Sequence, residues 1–94
     1  MKGVRKFSTY LKKELKKKEF RKQFEREEIY ADLAIQIARL RQSRGYTQED
    51  LARFLGTTQQ TVSRLEDPGN NGLSVSTLLK LAQAFHKDLR IQFV

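Results

Sequence analysis

An all-α fold, with a helical extension at its N-terminal side and a short β-strand at its end, is what this sequence predicts, on three observations. Apolar residues recur at three- and four-residue spacing along most of the chain. Hydroxyl-bearing residues and glycines punctuate that pattern where helices start and stop. Period-two alternation is confined to the last six residues, Leu89 to Val94.

The elements follow in order. Phe7, Tyr10, Leu11 and Leu15 form one stripe of an amphipathic helix over residues 7–18, with lysines on its other face and Ser8 placed to cap its start. Lys16, Lys17 and Lys18 include no apolar member, and their mutual repulsion predicts a break or a loosened turn there. A second helical pattern runs from about Glu19 to Ser43. It carries the Phe20/Phe24 pair, then Ile29, Leu33, Ile37 and Leu40 with Ala34 and Ala38, and it stops at Arg44-Gly45. Thr47 caps a helix through Leu55, with Asp50 at the N3 position of a capping box and Gly56 as its end. Thr58 caps a helix through Glu66. Asp67-Pro68-Gly69-Asn70-Asn71-Gly72 is a cluster of breakers, hence a loop. Ser74 or Ser76 starts the next helix, in which Leu78, Leu81, Ala82 and Phe85 make a stripe; His86-Lys87-Asp88 ends it. A lone strand at the tail has to pair, most simply with the same strand of a second copy through Leu89, Ile91 and Phe93.

A chain of 94 residues makes one domain plus an arm or tail. The absence of cysteine excludes a disulfide framework and a thiolate metal site. No apolar run exceeds three residues and no leader-like segment follows Met1, so a cytoplasmic protein without a membrane segment is expected. The net charge of +8 favours an anionic partner, and it is unevenly placed. Residues 1–30 hold eleven Lys/Arg against five acidic residues, a balance of +6. No catalytic constellation, phosphate loop or dinucleotide motif is present, and the only histidine, His86, stands at a helix end as a solvated or capping residue. No cofactor or metal is expected.

Residues 47–66 carry the chemistry. Two helices crossing at a tight turn need a small residue at the crossing and a residue free to take the left-handed conformation; Ala52 and Gly56 meet those needs. Leu51, Leu55, Val62 and Leu65 then face inward. Gln59, Gln60, Ser63 and Arg64 face outward, the arrangement that enters a major groove. Glutamine bonds adenine N6 and N7 bidentately, which suits Gln59 or Gln60 to base reading. Thr58 and Thr61 suit a thymine methyl or a phosphate, Arg64 a guanine or a phosphate, and Gln48 a phosphate. Glu66, near the helix end, is expected to bond a neighbouring arginine.

The segments TQEDLA, LG, TTQQTVSRLE and LSVSTLLKLAQAF, across about residues 33–86, resemble the Xre family, the Cro/phage-repressor type of helix-turn-helix. That resemblance implies a five-helix Cro/repressor-like domain with Gln48, Thr58, Gln59, Gln60, Ser63 and Arg64 at the surface of a double-stranded DNA operator. With the lone tail strand pairing across a two-fold axis, the chain reads as an extension (1–28), a DNA-binding domain (29–87) and a dimerisation strand (88–94) of a homodimer.

The layout also resembles HigA-like antitoxins, on Phe7, Tyr10-Leu11, Glu14-Leu15, Glu19-Phe20 and Phe24-Glu25. This implies that Phe7, Tyr10, Leu11, Leu15, Phe20 and Phe24 hold a RelE/HigB-type mRNA-cleaving toxin and that the complex represses its own operon. Packing of these residues on the domain's own core is the plainer alternative, and a nonspecific DNA arm is another. Other functions compatible with size and charge are a stand-alone phage-type repressor, a small basic ribonuclease or RNA-binding protein, and attachment of the lysine-rich helix to an anionic membrane surface.

Overall fold

No proline or glycine interrupts residues 4–44, and most of them are good helix formers. The outcome is a single helix, α1 (Lys2–Ser43), of 42 residues. The computed structural model describes residues 2–94, with side chains from Thr9 onward. After α1 come α2 (Gln48–Leu55), α3 (Gln59–Leu65) and α4 (Val75–Ala84). At 1.5 Å per residue α1 is about 63 Å long, and it sets the longest dimension of the molecule, 66 Å.

Three expectations are corrected here. The helix does not break at Lys16–Lys18, and Ser8 lies inside it instead of capping it. Successive helical side chains point about 100° apart, so the three ammonium groups fan out, and like-charge pairs on a helix cost only a few tenths of a kcal/mol. Glu14 also sits 3.6 Å from Lys17 across one turn. Second, the helices among the described residues number four, not five. The predicted extension and first domain helix are fused into α1, and no helix follows α4. Third, the described residues contain no β-strand, and 88–94 run without regular structure. A strand needs a neighbouring edge to bond, and this chain offers its tail none.

The core is built where four elements meet. Ile37 from α1, Leu51 and Ala52 from α2, Val62 and Leu65 from α3, and Leu81, Ala84 and Phe85 at α4 form one buried cluster, with Leu40, Leu55, Leu73 and Leu78 packed around it. Ala34 is buried as well. From Thr9 through Ile29 the residues of α1 are exposed, apart from half-buried Glu14. Tyr10, Leu11, Leu15, Phe20 and Phe24 all stand in solvent, so the alternative that they cover the domain's own core does not hold. The side chain of Phe7 lies outside the described residues. Ile29, expected in the core stripe, is 62% exposed.

Local chemistry sets the helix ends. Gly45, at φ 70°, closes α1: its N–H bonds Gln42 O and that of Tyr46 bonds Arg41 O. His86 closes α4 in the same way, its N–H on Gln83 O and the Lys87 N–H on Ala82 O. His86 does so at φ 54°, as the one non-glycine at positive φ among the described residues. A Cβ in that region is strained. His86→Gly is therefore expected to stabilise the fold by about 0.5–1 kcal/mol, read as a higher urea midpoint with an unchanged slope. A lower midpoint would mean that the imidazole makes contacts worth more than the strain.

Candidate nucleic-acid interface

Thr47 and Asp50 bond reciprocally at the start of α2. The Asp50 N–H donates to Thr47 Oγ1 at 3.0 Å and the Thr47 N–H donates to Asp50 Oδ2 at 2.9 Å. This is the capping box that the spacing predicts. The Thr47 N–H, followed by the Thr47 hydroxyl, holds the Asp50 carboxyl below its ordinary pKa. A carboxyl depressed in the folded state stabilises above its unfolded pKa, and that contribution is lost as pH falls through the lower folded value. Asp50→Asn is thus expected to lower the melting temperature at neutral pH, the difference from wild type closing below about pH 4. A difference constant with pH would show that the carboxylate charge is immaterial.

Gly56, at φ 67°, turns the chain between the two helices, with Thr57 N–H on Ala52 O at 2.9 Å. Thr58 then caps α3: Thr58 Oγ1 accepts from the Thr61 N–H at 3.2 Å and lies 3.0 Å from Thr61 Oγ1. Val62 and Leu65 are buried on one side of α3, and their neighbours fall on the other by the helical period. Gln59, Gln60, Ser63 and Arg64 are accordingly exposed, as is Thr58; Thr61 is half-buried at the edge of that face. Gln48, the first residue of α2, is half-buried. The α3 residues come together as one polar face about two turns long.

One residue that the sequence did not single out holds this face in place. The guanidinium of Arg41, in the last turn of α1, donates from Nε to Glu66 Oε2 at 2.7 Å and from Nη2 to Glu66 Oε1 at 3.0 Å. Its Nη1 donates to Tyr46 O at 2.8 Å. Glu66 is the C-cap of α3, and Tyr46 precedes the N-cap of α2, so one side chain fixes both helices of the motif against α1. The two side chains are 14% and 8% exposed. The Glu66 hydrogen bond raises the Arg41 pKa, against the lowering effect of burial. Glu66 does meet an arginine, but one 25 residues away. The only signal available was a basic residue in the last turn of α1, which ordinarily indicates no more than a helix end.

The tail divides. Leu89 is half-buried, whereas Ile91 and Phe93 are exposed, the latter fully. The structure does not bring Leu89, Ile91 and Phe93 into the recognition face. Among the described residues no helix is long and apolar enough to cross a membrane.

Two short capped helices joined by a left-handed turn, the second showing a polar face to solvent, define a DNA-binding helix-turn-helix protein. The helix-turn-helix family matches residues 37–92, more than half of the chain. The chain belongs to that family and is a DNA-binding regulator of the Xre/Cro type. No curated protein matches it.

Proposed function

We propose that this regulator is a cytoplasmic transcriptional repressor that reads a short palindromic operator as a homodimer. The observation that carries the reading is the polar face of Gln59, Gln60, Ser63 and Arg64 on α3, held by the Arg41–Glu66 pair. Gln59 and Gln60 read bases, Ser63 and Arg64 bond base edges or phosphates beside them, and Thr58, Thr61 and Gln48 take phosphates that set register. Ile91 and Phe93, bare in the single chain, together with Leu89 pack against a second copy. A two-fold dimer reads half-sites about 10 bp apart or a multiple of that.

The finer role is that of an antitoxin. Residues 1–28 form the arm, 29–87 the DNA-binding domain and 88–94 the dimerisation tail. The arm holds a RelE/HigB-type toxin through its exposed apolar residues, and the complex represses its own operon. The exposure of Tyr10, Leu11, Leu15, Phe20 and Phe24 supports a protein partner, because apolar side chains left in water on a rigid helix gain by being covered.

The test is selection of genomic fragments by the purified chain at about physiological salt, where nonspecific binding is weak. The expected result is enrichment of one inverted repeat upstream of the protein's own gene, beside a toxin gene. Gln59→Ala and Gln60→Ala are each expected to relax base preference by about 1–3 kcal/mol. Unchanged preference in both variants would remove these glutamines from base reading.

A further inference from the structure

Between α1 and α4 runs an apolar groove of about 120 Å³, lined by Leu33 and Leu40 from the first helix and Leu78 and Ala82 from the second. All four side chains are half-buried. Leu89 lines the groove too, so the tail leaves the domain at its edge. Beyond that point the apolar residues are bare: Ile91 is 61% exposed and Phe93 fully so. An open apolar groove and an uncovered apolar tail therefore stand side by side on one molecule.

We infer that Phe93 of each copy of this chain seats in the α1–α4 groove of the other, in a reciprocal exchange about a two-fold axis. This inference rests on the reading of the chain as a homodimer joined by its tail and adds the seat that the tail takes. Size, charge and area all fit a second copy. An apolar cavity of roughly 150 Å³ holds a benzene ring, so the groove has room for one phenyl group. The charged residues lining it are one cation and one anion, Lys87 and Asp88. The exposed charges beside its α1 residues, Asp32 and Arg39, also cancel. A chain of net charge +8 thus meets its own copy at a locally neutral surface.

Ile91 and Phe93 together offer roughly 250–350 Å² of apolar surface. A two-fold exchange buries two tails and two grooves, so the total reaches roughly 1,000–1,400 Å², past the roughly 1,000 Å² that a specific interface needs. A copy's own tail cannot bring both side chains back to its groove. A chain reversal takes four residues, and Ile91 and Phe93 lie two and four residues beyond Leu89. Tail paired on tail would leave the groove in water.

The experiment uses the full chain, which has no cysteine, so single introduced thiols report without interference. Phe93→Cys is mixed with Gln36→Cys, the latter at an exposed residue lining the groove, under mild oxidation, and the disulfide products are separated by mass. The expected main product is the mixed disulfide, in excess of either symmetric one. In parallel, Phe93→Ala is expected to weaken self-association about tenfold or more by sedimentation equilibrium. Its helical circular dichroism should stay unchanged, since Phe93 is fully exposed in the single chain. A dimer in which the mixed disulfide is not in excess, or whose affinity Phe93→Ala leaves unchanged, overturns the seat and leaves the homodimer standing. A chain that sediments as a monomer throughout overturns both the inference and the homodimer beneath it.

Discussion

Truncating Glu66 to alanine is expected to lower the unfolding free energy by about 1–3 kcal/mol, the cost of leaving the half-buried Arg41 guanidinium without its charged hydrogen-bond partner. The pair is mostly buried, and the Arg41 guanidinium makes three hydrogen bonds, two to Glu66 and one to Tyr46 O. Without Glu66 the cation keeps one carbonyl and no counter-charge. Urea denaturation measures the loss. A cost below about 1 kcal/mol would place the pair with ordinary surface ion pairs.

The same substitution separates stability from positioning. Replacing both members with apolar residues, Arg41→Met with Glu66→Leu, is expected to recover most of the lost stability, since an apolar pair of similar volume often matches a buried ion pair. DNA affinity, measured where both variants are folded, should not recover with it. The bidentate geometry sets where α3 stands relative to α1 and the start of α2, and a pair of greasy side chains does not reproduce that angle. Full recovery of affinity would show that Arg41 and Glu66 contribute to folding alone.

The second large effect is at Phe85, which is 1% exposed at the end of α4. Phe85→Ala is expected to cost about 3–5 kcal/mol through lost burial and the cavity left behind. The packed part of the chain, Tyr30 to Leu89, is about 60 residues. At about 0.05–0.15 kcal/mol per residue its whole stability is about 3–9 kcal/mol. The variant should therefore lose a third or more of that stability, read as a lower urea midpoint and as faster hydrogen exchange at the amides of α2 to α4. Phe20→Ala is the matching control, expected to stay within about 0.5 kcal/mol of wild type. Equal costs at the two positions would mean that Phe20 is covered in solution, by a second copy or by a folded-back arm.

These two phenylalanines mark the limit of the linear pattern. Each belongs to an apolar stripe at helical spacing, and nothing local separates a stripe that meets a core from one that meets water. The difference is decided by what stands opposite. Ile37, Leu51, Val62 and Leu81 converge on Phe85, whereas α1 projects past the domain before it reaches Phe20. The tail illustrates the same limit. Alternation of Leu89, Ile91 and Phe93 is a correct reading of side-chain periodicity, yet a strand is defined by its neighbour, and the chain supplies none.

What the sequence determined by itself is what short-range chemistry controls. The caps at Thr47, Thr58 and Ser74 act on amides three residues away, and the turns at Gly45 and Gly56 depend on a single left-handed residue. Those signals place α2, α3 and α4 and hence the polar face of α3. The continuity of α1 was misread: the lysine cluster predicted a break, while the run without glycine or proline carries one helix through it. Only the tertiary structure decided the Arg41–Glu66 clamp, the exposure of the arm and the count of four helices. A capping bond closes within one turn, but the clamp joins residues 25 apart, and that distance is closed only when α1, α2 and α3 pack together.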